Sequence, residues 1–198
     1  MSVKYTQSEE GTYFCTFTCL QWIPLFQITN LYDEIYKWLN ILTRNQHQIT
    51  GFVIMPNHLH ALIHLSHNKD SINKILANGK RFLAYEIVKR LEDAGQNDLL
   101  TVLQKELTLQ EKKRKKKHRV FEVSSDIKAC FTQKFLLQKL KYIHANPVSK
   151  KWQLAKTPEE YYHSSSAYYE SGIAHPQVNI THYNELTYGV SSPAGDDT

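Results

Sequence analysis

The stretch GFVIMPNHLHALIHL, Gly51 to Leu65, constrains the fold more than any other part of the chain. Two apolar runs flank a Pro56-Asn57 turn, the pattern of a β-hairpin. Strand side chains alternate between faces, so Leu59, Ala61, Ile63 and Leu65 share one face while His58, His60, Leu62 and His64 share the other. The first is a core face. A second face that only met solvent would take Lys, Thr or Glu as readily, so three imidazoles on it ask for a chemical reason.

The flanking segments supply a frame for that hairpin. TYFCTFTCLQW alternates aromatic, Thr and Cys residues and reads as a strand that Pro24 ends. From Thr29 to Leu42, Leu31, Ile35, Trp38, Leu39 and Leu42 recur at three- and four-residue steps, an amphipathic helix with Thr29 or Asn30 as its cap. QITGFVIM is the first hairpin strand. Beyond the hairpin, Asp70 and Ser71 suit the start of a helix whose apolar face is Ile72, Ile75, Leu76, Phe82, Leu83, Ile87 and Leu91, weakened locally by Gly79. A short leucine-bearing segment leads to the run Lys112 to Lys117, which reads as a solvated, mobile loop because like charges repel. HRVFEV is expected as a short strand.

FTQKFLLQKLKYIHANPV predicts a helix with Leu136, Leu140 and Ile143 as its stripe, ending at Asn146 because Pro147 disfavours helical geometry there. Gln138, Tyr142 and Asn146 form a row on its flank, about 6 Å apart along the axis. The tyrosine-rich segment from Tyr161 is expected to pack, with Tyr161, Tyr162, Tyr168 and Tyr169 as the alternative stacking platforms for unpaired bases. SSPAGDDT reads as disordered.

These elements make one domain over 1–185, with a basic loop at about 110–119 and a tail over 186–198. The net charge of +5 and pI near 9.0 favour a polyanionic partner. Cys15, Cys19 and Cys130 are too few for a disulfide framework and read as reduced, buried thiols. With no secretory pattern and no apolar run near the ~20 residues that span a bilayer, the expected location is cytoplasmic, at the nucleoid, with no membrane partner.

His58 and His60 have their strand positions about 7 Å apart, and their rings can converge on one divalent ion if a third ligand comes from elsewhere. An isolated His-x-His is more often a pair of half-buried surface residues. Tyr142 adds a second element. Its oxygen is a weak nucleophile near a free pKa of ~10, yet it can attack phosphorus where a metal neutralises the phosphate oxygens. The alternative is a tyrosine packed at a core edge.

MPNHLHALI and KLKYIHANPVSKKWQL, with EYYHSSSAYY and TFTCLQWIPLF, resemble the REP-associated tyrosine transposases, a branch of the single-tyrosine HUH nucleases, over about Tyr13 to Tyr169. The resemblance implies an α+β, ferredoxin-like (RRM-like) antiparallel sheet with helices packed on one face. It implies that His58 and His60 are metal ligands, that Asn146 stands in the place of the third ligand, and that Tyr142 is the nucleophile. Attack on single-stranded or hairpin DNA would leave a 5′-phosphotyrosine and a free 3′-hydroxyl, an exchange that needs no ATP. The cofactor implied is a divalent ion, Mg²⁺ on phosphate chemistry and Mn²⁺, Co²⁺ or Zn²⁺ on the imidazoles. Relatives either act as monomers or swap the tyrosine helix in a homodimer.

The motif set leaves Lys112, Lys113, Arg114, Lys115, Lys116 and Lys117 without a counterpart. They are either a solubilising loop or a phosphate-contacting arm, with Arg119, Lys150 and Lys151 serving similarly. His64 is read as packing or touching DNA, and His144 as structural. Two rival readings keep the same residues: a nucleic-acid-binding protein without chemistry, which would tolerate Tyr142→Phe, and a zinc-dependent hydrolase, which lacks an evident glutamate base.

Overall fold

Four strands form one antiparallel sheet: β1 (Gly11–Thr18), β2 (Gln48–Ile54), β3 (His58–Leu65) and β4 (Asp126–Ala129), in the order β2-β3-β1-β4. The computed structural model describes residues 10–66 and 70–186. A four-residue helix, α1 (Leu25–Ile28), and then α2 (Tyr32–Arg44) connect β1 to β2, and α3 (Ile72–Asp93) begins the connection from β3 to β4. The β-α-β-β-α-β order and the central placement of β1 and β3 make the sheet ferredoxin-like, as the resemblance implied. Further along lie α4 (Asn97–Lys105), α5 (Leu109–Lys113), α6 (Gln133–Ala145) and α7 (Ser166–Ser171).

The alternation in β3 divides the molecule into two layers of contact. Leu59, Ala61, Ile63 and Leu65 join Tyr13, Cys15 and Phe17 of β1 in a core sealed by Ile35, Trp38 and Leu39 of α2 and Ile75, Leu83 and Ile87 of α3. Gly79 of α3 is where the two helices meet. A Cβ there would lie 2.5 Å from Trp38 Cε2, so the residue that weakens the helix admits the indole. The other face carries α6, whose Leu136, Leu140 and Ile143 pack on Phe14, Val53 and Leu62. Burying each such side chain stabilises by roughly 1.5–3 kcal/mol. The register shift between Ile49 and Gly51 is a bulge, and a Cβ at Gly51 would meet Leu140 Cδ1 at 2.6 Å, so glycine lets α6 approach. Helices α2 and α3 thus share one face as expected, and α6 adds a layer on the opposite one.

Local expectations fare unevenly. The predicted span of β3 matches, Ser71 caps α3 by accepting from Lys74 N–H, and α6 stops at Ala145 before Asn146 and Pro147. Helix α2 starts at Tyr32 with no side-chain cap, because the Thr29 hydroxyl donates back to the Leu25 carbonyl and Asn30 has a positive φ. Phe82 is 37% exposed, since it stands about 100° around the helix from the buried Leu83. HRVFEV is not a strand: Phe121 makes one bridge with Cys19, and the fourth strand forms instead at Asp126–Ala129. Beyond Thr18 the chain coils through Leu20–Trp22, which leaves residues 118–123 no straight partner.

The lysine run is not wholly loop either. Thr108 and Glu111 form a capping box that starts α5, which holds Lys112 and Lys113, and the Glu111 carboxylate takes Lys116 at 2.7 Å. Near the other end of the chain, residues 163–181 run along the β2 edge: Ile54 N–H donates to the His163 carbonyl and Thr181 N–H to the Ile49 carbonyl. Tyr161 and Tyr169 donate to the Ile54 and Thr50 carbonyls, so these two are packing residues. Leu186 is buried in the smaller core, and SSPAGDDT lies outside the described residues. All three cysteines are free and buried. Among the described residues no helix is long and apolar enough to cross a membrane.

Candidate active site

The α6 side of the sheet is polar where the hairpin begins. Antiparallel register sets Thr12, Thr16 and Thr18 of β1 opposite His64, His60 and His58 of β3. The Thr16 hydroxyl lies 2.6 Å from His60 Nδ1, and the Thr12 hydroxyl 3.0 Å from His64 Nδ1. His58 is held differently. Asn57 Nδ2 donates to the Trp22 carbonyl at 2.7 Å, which turns its Oδ1 toward His58 Nδ1, also at 2.7 Å. An amide oxygen only accepts, so His58 Nδ1 carries the proton and its Nε2 carries the lone pair.

The His58 and His60 rings lie 4.7 Å apart between centroids, and both residues are buried. Burial, helped by Lys151, lowers the His58 imidazole to about 4; burial, helped by His58 and Lys139, lowers His60 to about 3. Both rings are therefore neutral near pH 7, the form that binds metal. His60 Nε2 is buried without a hydrogen-bond partner. That orphaned nitrogen, beside a His58 ring whose Nδ1 is already engaged, fits a divalent ion held by two imidazoles. Among the described residues no group of three His, Cys, Asp or Glu completes such a site, so any further ligand would be of another kind.

Helix α6 carries Tyr142 over this pair. Its ring stands 5.2 Å from that of His60 and 6.1 Å from Phe14, and the residue is 51% exposed. The apolar stripe of α6 faces the sheet, which leaves Tyr142 at the mouth of the site. Lys139 lies one turn earlier, its Nζ 4.8 Å from the Phe14 ring centroid and 5.9 Å from that of Tyr142. On the other side Lys151 Nζ sits 4.2 Å from the Trp22 centroid, and Trp22 and Trp152 both stand 5.7 Å from His58. Neutral imidazoles flanked by two ammonium groups make a place where an anion is favoured.

No protein-family model matches the chain, and no curated protein is similar to it in sequence. Among solved structures, a REP-associated tyrosine transposase bound to a REP hairpin superposes with a TM-score of 0.56 at 15% identity, over 98% of this chain and 99% of that one. The chain has the fold of a REP-associated tyrosine transposase. A candidate transposase of Deinococcus radiodurans R1 gives a TM-score of 0.34 at 12% identity, over 72% of this chain and 95% of that one.

On the transposase fold, His58, His60 and Tyr142 come together although more than 80 residues separate the tyrosine from the pair. Asn146 is the C-cap of α6, half-buried, one turn beyond Tyr142. The basic run is elsewhere. Arg114, Lys115, Lys116 and Lys117 border a 1060 Å³ groove against α3, on the side of the sheet away from α6. Arg119 turns inward, donating to the Glu106 carbonyl at 3.0 Å with Glu111 beside it. Lys150 and Lys151 are exposed in the turn after α6. His64 is buried against Thr12, and His144 Nε2 lies 2.8 Å from the Ser165 hydroxyl behind α6, the structural role read for it.

Thr16, Asn57, Lys139 and Trp22 escaped the reading of the sequence. Lys139 precedes Tyr142 by three residues, so helical spacing places it on the same side. The others needed the pairing of β1 with β3 and the path of the chain beyond Thr18.

Proposed function

We propose that the chain is a metal-dependent single-tyrosine HUH nuclease that nicks and rejoins single-stranded or hairpin DNA through a 5′-phosphotyrosine. The observation that carries this reading is the Tyr142 ring 5.2 Å from His60, at the open side of a neutral, oriented histidine pair. On this reading Tyr142 Oη gives its proton to water and attacks the phosphorus. The new bond is Oη–P, the broken one is P–O3′, and the leaving 3′-oxygen takes up a proton. The reverse step restores the strand, since the phosphotyrosine keeps the energy of the broken ester. A bound divalent ion, Mg²⁺ or Mn²⁺, would neutralise phosphate oxygens at the moment of attack.

The chain's own residues do the remainder. His58 and His60 present Nε2 because Asn57 and Thr16 engage their Nδ1 atoms, with Asn146 assigned as the third ligand. Lys139 and Lys151 bring positive charge to the DNA backbone on either side of the pair. Lys150 and the run Lys112–Lys117 are assigned to phosphates further out, where they would steer DNA without reading its sequence. Location at the nucleoid follows from this reading, and a homodimer sharing α6 remains part of the proposal.

The test uses 5′- and 3′-labelled hairpin oligonucleotides with Mn²⁺ or Mg²⁺ and a denaturing gel. A covalent adduct carrying the 3′-side fragment, absent in Tyr142→Phe and His58→Ala, is the expected result. Metal-dependent cutting without an adduct would replace the reading by a hydrolase. The lack of a third His, Cys, Asp or Glu ligand among the described residues favours one other reading, a DNA-binding protein without chemistry. Tight binding with no cutting across many hairpins would select it.

A further inference from the structure

The turn after β1 holds a feature that the reaction above does not use. Gln21 and Trp22, neither of them glycine, have φ of 51° and 60°, in the left-handed region. Such a backbone conformation is unfavourable for a side chain with a Cβ and persists only where its surroundings over-determine it. They do so here. Gln21 N–H donates to Glu122 Oε1 at 2.8 Å, and Asn57 Nδ2 donates to the Trp22 carbonyl at 2.7 Å. The result is an indole left 53% exposed beside the candidate metal ligand, instead of joining the core that takes up its neighbours Leu20 and Leu25.

The surroundings of that indole have a definite chemistry. Trp22 lies 5.7 Å from His58, Trp152 lies 5.7 Å from His58, and Lys151 Nζ is 4.2 Å from the Trp22 centroid and 5.4 Å from that of Trp152. An exposed aromatic plane with an ammonium beside it matches an unpaired nucleobase and its adjoining phosphate. The amide of Asn57 links the two parts, since it holds both the Trp22 backbone and His58 Nδ1. A base stacked on Trp22 would therefore be registered against the same histidine that faces the scissile phosphate.

We propose that Trp22, with Lys151, is a stacking platform for one unpaired base next to the scissile phosphate of single-stranded DNA, and so a positioning residue for cleavage. The proposal rests on the nuclease reading above. Removing an aromatic platform of this kind weakens binding by about 5- to 150-fold, the range that corresponds to one stacked base.

The experiment scans the unpaired flank of a hairpin oligonucleotide with abasic sites, one position at a time, and measures affinity for the wild type, Trp22→Ala, Trp22→Phe and Lys151→Ala. Tryptophan fluorescence and thermal unfolding are recorded on each. In the wild type, one abasic position should lower affinity and relieve the quenching of tryptophan emission. Trp22→Ala should show the lower affinity with intact DNA and no further loss at that position, Trp22→Phe should recover part of it, and Lys151→Ala should keep the position dependence but lessen the salt dependence. Adduct formation with Trp22→Ala binding as tightly as the wild type, or an equal loss at every abasic position in both proteins, would overturn the platform and leave the nuclease reading intact. No binding of any oligonucleotide by the folded wild type would overturn both.

Discussion

The two faces of β3 belong to one eight-residue strand and have opposite fates. On one face Leu59, Ala61, Ile63 and Leu65 meet two helices and leave no polar group to satisfy. On the other, His58, His60 and His64 are just as buried, yet His60 and His64 are held by Thr16 and Thr12, which strand pairing delivers to them, and His58 by the neighbouring Asn57. Both faces exclude water, but only one keeps donor atoms oriented while doing so. Burial on the first face stabilises the fold, and burial on the second sets protonation state and direction.

The largest expected effect sharpens this contrast. Tyr142→Phe should abolish the covalent adduct on a denaturing gel while shifting stability by no more than about 0.5 kcal/mol, because the residue is half-exposed at the surface. Ile63→Ala, on the opposite face, should do the reverse: a loss of about 2–5 kcal/mol in urea unfolding, with adduct yield per folded molecule unchanged. If Tyr142→Phe proved as destabilising as Ile63→Ala, the division of labour between the faces would be wrong.

Of the two faces of β3, acid should act on the polar one. The folded imidazoles of His58 and His60 titrate at about 4 and 3, whereas the unperturbed value is 6.5. Below 6.5 the unfolded chain takes up protons that the folded chain refuses, so stability is greatest above that pH and falls as the pH drops toward 4 and then 3. Each histidine can contribute up to about 1.4 kcal/mol per pH unit in that window. Thermal unfolding of His60→Gln between pH 7 and 4 should show a shallower decline than the wild type.

The smallest effect concerns charge outside both faces. Replacing Lys112, Lys113, Lys115 and Lys117 by alanine should weaken binding of all DNA sequences alike and flatten its salt dependence, with no change in adduct yield at saturating DNA. Stability should barely move, since these side chains are solvent-exposed. A selective loss for one hairpin sequence would instead make the run a reader of bases.

Most of the frame was legible from local pattern. The hairpin, the spans of α3 and α6 and the alternation in β3 follow from periodicities of two and 3.6, which depend only on neighbours in the chain. Where a nearby polar atom competed, the reading failed: Thr29 turned back to Leu25, and Glu111 drew Lys112 and Lys113, the start of the lysine run, into a short helix. HRVFEV failed for a different reason, since a strand exists only by virtue of its partner and the partner curves away at Leu20–Trp22.

By itself, the sequence determined that two imidazoles share a strand face and that a tyrosine lies on the flank of a helical stripe. Each is a statement about residues fewer than five positions apart, governed by backbone geometry. Only the tertiary structure decided that α6 packs on the histidine face, that Thr16 and Asn57 orient the two rings, and that the basic run lies on the other side of the sheet. Those outcomes depend on which apolar surfaces find each other across many tens of residues. Such pairing is chosen by the packing of the whole chain, and no local spacing records it.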